Sequence, residues 1–188
     1  MVTDTLPTRQ ARVIAVSRDD THRFSKPTVD SVTLIEGWGI EGDAHAGPTV
    51  KHRFQVARDP HAPNLRQVHL LHEEVFAEVA EEGYSLAPGL LGENITTRDV
   101  TLLDLPTGTV LRLGPDAAVR LTGLRSPCRL IDTLERGLMR QLTARAGDGT
   151  VVRKAGVMSV VVAGGVVRAG DGISIELPEG PHVPMQPV

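Results

Sequence analysis

Glycine and proline punctuate this chain from end to end. Its 188 residues include 19 glycines and 13 prolines, about one residue in six, scattered between short apolar runs instead of gathered into a linker. A helical bundle needs long uninterrupted stretches, so this spacing favours short strands joined by frequent turns. Residues 11–17 and 31–36 read as strands, the second stopped by a glycine cluster over 37–47. Residues 66–71 read as a strand running into a helix over 72–83, with Val75, Phe76, Val79 and Ala80 on one face and Gly83 as its stop. Short strands follow near 94–96, 109–113 and 119–124. A second helix is expected from Arg129 past Leu142, on the spacing of Leu130, Leu134, Leu138 and Leu142. The stretch 156–177 reads as strand, turn, strand, with Gly164-Gly165 as a hairpin signal. The expected fold is mainly β with a few helices (α+β), a mixed or mostly antiparallel β-barrel with two packed helices. It forms a single domain over 11–178, between a flexible N-terminus (1–10) and a C-terminal tail (179–188).

Charge and composition remove several function classes. Twenty Lys and Arg against 23 Asp and Glu leave a formal charge of −3, which argues against nonspecific nucleic-acid binding through a basic surface. Aromatic residues at 3% offer no stacking platform for single strands. One cysteine, Cys128, excludes an intrachain disulfide and an all-cysteine metal cage. No apolar run approaches the roughly 20 residues of a membrane span. The polar, Thr-rich start lacks a signal-peptide core, so a cytoplasmic location is expected.

Gly37-Trp38-Gly39-Ile40-Glu41-Gly42 fits the spacing of a dinucleotide fingerprint after a strand. That motif must also open a helix, whose N-terminus faces the pyrophosphate. Here Gly47 and Pro48 stop any helix within a turn, so the glycines are read as tight turns or a close backbone approach to a ligand.

Cys128 is the first candidate for chemistry. It follows Pro127 at a strand-to-helix junction, flanked by Arg125 and Arg129; a helix N-terminus and two cations both favour thiolate. The competing reading is an inert, core-packed thiol. Asp43-Ala44-His45 sits among glycines, where the carboxylate either orients the imidazole or closes an Asx-type turn. His69, at the passage from strand to helix, is an alternative base for the thiol. His22, His52, His61 and His182 are read as exposed loop residues, and no histidine or cysteine pair has zinc spacing. Asn94, in Gly92-Glu93-Asn94, reads as recognising a heterocycle's amide edge or as bonding its own turn. Arg66, Arg125, Arg129, Arg153 and Lys154 could gather on an anion, or form a solvated face. The charged stretch 48–63 is long for a loop, and its role stays open between closing over a ligand and simple mobility.

In order, the chain carries Gly39-Ile40-Glu41-Gly42-Asp43-Ala44-His45-Ala46-Gly47, then Arg66-Gln67-Val68, Leu91-Gly92-Glu93-Asn94-Ile95-Thr96 and Pro106-Thr107-Gly108-Thr109. Thr122-Gly123-Leu124-Arg125-Ser126-Pro127-Cys128 and the segment from Gly156 to Asp171 complete the series. Together these resemble the MOSC domain, named for the C-terminal domain of molybdenum cofactor sulfurase. The resemblance implies a compact β-barrel. It also implies that Cys128 serves as a sulfur carrier or a molybdenum ligand, with sulfuration of the cofactor or reduction of N-hydroxylated compounds as the chemistry. On this reading Cys128, Asp43 and His45 are the catalytic residues. Arg66, Asn94, Arg125, Arg129 and Lys154 bind the molybdenum cofactor (molybdopterin), and Cys128 binds the metal. Pyridoxal phosphate is the other cofactor the resemblance raises, although Lys26, Lys51 and Lys154 lie in no recognisable Schiff-base motif. The chain shows neither an aminotransferase-like segment nor an electron-transfer segment, so a redox or sulfur-donor protein is the expected partner beside a small-molecule ligand. An enzyme, a non-catalytic carrier of sulfur or molybdopterin, and a metal-free cysteine hydrolase or lyase all stay open.

Overall fold

The computed structural model describes residues 10–51, 53–145, 147 and 149–188. The expected loop residue His52 and most of the expected flexible N-terminus lie outside them. In chain order the elements are β1 (Arg12–Ser17), β2 (Thr28–Val29), β3 (Ser31–Ile35), β4 (Gly39–Ile40), α1 (Arg53–Arg58), β5 (Val68–His72) and α2 (Glu74–Glu81). Next come β6 (Ile95–Arg98), β7 (Val110–Leu113), β8 (Ala117–Leu124), α3 (Leu138–Gln141), β9 (Thr143–Arg145) and β10 (Val151–Arg153). The last three strands are β11 (Val157–Ala163), β12 (Gly165–Arg168) and β13 (Ile173–Glu176).

Eight strands form one sheet in the order β13-β7-β8-β11-β5-β6-β1-β2, beside a three-stranded sheet β12-β3-β4 and the hairpin β9-β10. The β5–β6 pair, joined through α2, is parallel, so the sheet is mixed. It curls into the outline of a barrel but does not close into one: β1 and the start of β13 meet at the single bridge Arg12–Gly172.

Alternation builds the main core. Val32 and Leu34 in β3 and Leu111 and Leu113 in β7 point inward, as a period of two requires. Val13 and Val16 are both buried although three residues apart, because a register shift in the β1–β6 ladder between Val13 and Ala15 resets the alternation. Strand β5 serves two compartments. Val68 and Leu70 enter the main core, and Leu71 enters a second core with Val75, Val79, Leu91, Ile131, Leu138 and Leu142. Its His69 shares the face of Leu71 and reaches the cavity described below.

Three expectations change. The helix expected from Arg129 past Leu142 is broken into a 3-10 turn, Arg129–Thr133, and the four-residue α3. Gly137 separates them with φ +92, a left-handed conformation that an α-helix does not tolerate. The inward residues are Ile131, Leu138 and Leu142, while Leu130 and Leu134 face outward. Gly164-Gly165 does not turn a hairpin: β11 pairs with β5 and β8, whereas β12 pairs with β3. The glycines instead carry the chain between sheets, and a Cβ on Gly165 would lie 2.8 Å from the Ala117 amide nitrogen. The stretch 48–63 contains α1 and a bridge between Thr49 and Pro63.

The segment after β13 packs back onto β8. Leu124 N donates to Gln186 O at 2.9 Å, Val188 N donates to Leu124 O at 3.3 Å, and Met185 is buried in the main core. This strap lies beside the strand end that leads into Arg125 and Cys128.

Candidate functional site

A cavity of about 490 Å³ opens on the outer face of the large sheet. Five chain segments wall it: the loop after β1, the glycine-rich loop after β4, the loop before β5 with Asn64 and Arg66, the turn before β6, and the junction after β8. Met158 and His69 contribute from the neighbouring strands β11 and β5. A register shift between Met158 and Ser159 against β8 adds local twist at this edge.

The floor is a closed hydrogen-bond network around Asp43. Lys26 Nζ donates to Asp43 Oδ2 at 2.6 Å, and both side chains are almost fully buried (4% and 0% exposed). Asn94 Nδ2 donates to the same oxygen at 2.9 Å. The other oxygen, Oδ1, accepts from the His45 amide at 2.9 Å and lies 3.2 Å from His45 Nδ1. Burial by itself would raise the Asp43 pKa, but the His45 hydrogen bonds and the Lys26 ammonium outweigh it and hold the carboxyl well below the usual carboxylate range. Burial pushes the Lys26 pKa down, with Asp43 partly opposing it.

Asn94 is also committed. Its carboxamide donates to Ser17 O at 3.2 Å and accepts from the His69 amide at 3.2 Å. Asn64 staples the glycine-rich loop in the same way, donating to His45 O and Gly47 O at 3.0 Å each.

Glycines let these loops meet. Gly92 has φ +79, and a Cβ there would run into the Phe24 carbonyl oxygen. Beneath the turn lies Glu93, with no exposed surface. One of its oxygens accepts from Gly89 N at 2.6 Å and from the Thr96 hydroxyl at 3.2 Å, whereas Oε2 is buried without a partner. Burial raises its pKa.

The wall is different in kind. Arg66 and Arg125 both line the cavity, and each has a buried nitrogen without a hydrogen-bond partner: Nε of Arg66 and Nη1 of Arg125. Burial lowers the pKa of both guanidinium groups. For Arg125 the charges of Cys128 and Glu93 oppose that shift, and its guanidinium sits 5.5 Å from the centre of the Phe24 ring. Cys128 lines the same cavity and is exposed. It has extended backbone immediately before the 3-10 turn, so it caps a short turn and does not begin the long helix expected from the sequence. His69 Nε2 lies 2.7 Å from Ala155 O, and burial drives its pKa well below the usual value; it is a neutral donor committed to the backbone.

Of the residues singled out from the sequence, Cys128, His45, His69, Arg66, Asn94 and Arg125 meet at this cavity. Asp43 lies behind His45 and is no part of the lining. Arg129 is exposed beyond Cys128, outside the lining. Lys154 pairs with Glu78 on α2, away from the cavity. His22, expected to be a plain loop histidine, stands in the cavity wall with its ring edge-on to His45, centroids 5.1 Å apart. Lys26 carried no motif: it contacts Asp43 across 17 residues, and the one local hint was a lysine held between Ser25 and Pro27 in a turn-rich stretch.

The family model of the MOSC domain matches residues 57–174. This chain belongs to that family. The matched segment holds Arg66, Asn94, Arg125 and Cys128, while Lys26, Asp43, His45 and Lys51 come from outside it. Among curated proteins there is no match. The MOSC chain is similar in fold to the YuaD protein from Bacillus subtilis, with TM-score 0.73 and 22% identity over 91% of this chain and 98% of that one. YiiM from Escherichia coli aligns with TM-score 0.61 and 21% identity over 94% and 74% of the two chains. YiiM from Geobacillus stearothermophilus gives 0.62 and 19% over 93% and 79%.

Proposed function

We propose that this MOSC protein binds the molybdenum cofactor in the cavity with Cys128 as its protein ligand, and that it reduces N-hydroxylated compounds with electrons from a redox-partner protein. The observation that carries the reading is the pair of guanidinium groups, each with a buried, unpartnered nitrogen, on the same wall as an exposed thiol. Such donors suit an anionic group, which would accept from both. Among the described residues no three His, Cys, Asp or Glu side chains cluster for a metal. A metal that arrives already held by its own organic dithiolene suits a site offering one thiolate. When bound, the cofactor supplies two-electron transfer. The net reaction takes N–OH to N–H and water, consuming two electrons and two protons.

Arg66 and Arg125 would hold the cofactor's anionic portion, and Phe24, Leu91 and Met158 would exclude water from its apolar side. Asn94 would act from beneath, by fixing Asp43. For pyridoxal phosphate, Lys26 is committed to Asp43 and Lys154 to Glu78, which leaves Lys51 in the cavity lining as the lysine that would have to form the Schiff base. The exposure of Cys128 favours a second reading, a persulfide carrier that meets its client at the cavity mouth.

Protein made in a host able to synthesise the cofactor separates these readings by elemental mass spectrometry and nonreducing intact mass. Stoichiometric molybdenum that is lost in Cys128→Ser is the expected result. A sulfur adduct without metal supports the carrier, and a chain with neither contradicts both.

A further inference from the structure

Asp43 cannot be the group that exchanges a proton with a ligand. Its carboxylate already accepts from Lys26, Asn94, the His45 amide and the His45 ring, and it lies behind the cavity lining. An ionised carboxylate only accepts, so the His45 nitrogen facing it must carry the hydrogen. In the neutral ring, Nε2 at the cavity wall is then the acceptor, on a side chain 36% exposed.

We infer that His45 Nε2 is the proton acceptor of this cavity, and that Lys26 is a positioning residue that acts through Asp43 to fix the His45 tautomer. The ligand it serves presents an O–H or N–H to the wall beside the anionic group held by Arg66 and Arg125. The proton passes from that ligand to Nε2, giving an imidazolium that Asp43 stabilises, and it returns to the product by the reverse path. Without the ammonium, the buried Asp43 carboxylate would have no cation in contact. It would take up a proton itself, and it would then no longer demand a hydrogen on Nδ1. The other charges acting on Lys26 are the carboxylates of Glu93 and Asp19. His22 meets His45 edge to face.

The role in ligand chemistry rests on reading the cavity as a binding site. The tautomer does not, so the test uses ligand-free protein, and its failure is distinct from a failure to bind molybdenum. Long-range proton–nitrogen NMR of histidine-labelled protein is expected to show neutral His45 as the Nδ1–H form, the reverse of the form that free imidazole side chains favour. In Lys26→Met, with the remaining spectrum folded, His45 should revert to Nε2–H. A wild-type ring found as Nε2–H overturns the inference, as does a Lys26→Met ring still held as Nδ1–H. If Lys26→Met does not fold, the wild-type titration decides: the His45 signals must change in step with loss of the Lys26 proton. Signals blind to that event contradict the assignment.

Discussion

The floor and the wall of the cavity are built to opposite rules. On the floor, Lys26, Asp43, Asn94 and His69 spend their polar atoms on one another and on the backbone. On the wall, Arg66 and Arg125 keep buried nitrogens without partners, and Cys128 is exposed. A buried polar network that is fully satisfied specifies one arrangement. An unsatisfied buried donor costs free energy until something arrives to accept from it. The floor is therefore satisfied within itself, and the wall keeps unpartnered donors.

The largest effect is expected from breaking the floor. Asp43→Asn leaves the Lys26 ammonium buried without its counterion, which should cost about 3–5 kcal/mol near neutral pH. The pH dependence has a defined sign. The folded Asp43 pKa lies below the unfolded value of roughly 3.9, so its stabilisation is complete above that value and is lost as pH falls through the folded pKa. Urea unfolding should therefore show the gap between wild type and Asp43→Asn shrinking below about pH 4. Glu93 has the opposite sign: its folded pKa is raised, so its cost grows as pH rises from the unfolded value of roughly 4.3 to the folded pKa. Glu93→Gln should gain on wild type over that window. Parallel pH profiles for the two variants would remove the distinction drawn between these carboxylates.

A smaller loss is expected at Gly92, where the turn before β6 meets the loop after β1. Gly92→Ala places a Cβ against the Phe24 carbonyl at φ +79, which should cost about 1–3 kcal/mol. The melting temperature should fall by roughly 2–4 °C for each kcal/mol in a domain of this size. An unchanged melting temperature would mean that the close approach of these loops is not needed to hold the floor.

The strands were legible because alternation acts locally. Ser31–Ile35 and Val110–Leu113 bury every second residue, and Val75 and Val79 mark the inner face of α2. The junction at Arg125 and Cys128 was legible as well, since both lie within four residues of one strand end. The Leu130–Leu142 spacing misled because a period of four suits a helix only when the backbone can stay helical, and Gly137 at φ +92 does not. Register was illegible too: the Gly164-Gly165 pair looks the same whether the chain turns back on its own sheet or crosses to another. Lys26 was hidden for a different reason. A buried ion pair between residues 17 apart leaves no periodic trace, and what marks Lys26 is its burial, a property of the assembled loops. Asn94 drew notice for its amide, but Asp43 and the backbone of Ser17 and His69 take that amide up.

The contrast between floor and wall is tested most directly by the double variant Arg66→Met/Arg125→Met, measured for both stability and anion binding. Removing two unsatisfied guanidinium groups forfeits the contact between Arg125 and Phe24, about 0.5–1 kcal/mol, and relieves two buried, unpaired donors. Stability in urea should stay within about 1 kcal/mol of wild type, with calorimetric binding of inorganic phosphate weakened at least about tenfold. A variant that unfolds readily yet binds phosphate as wild type does would make these arginines part of the framework, and would contradict the claim that the wall waits for an anion.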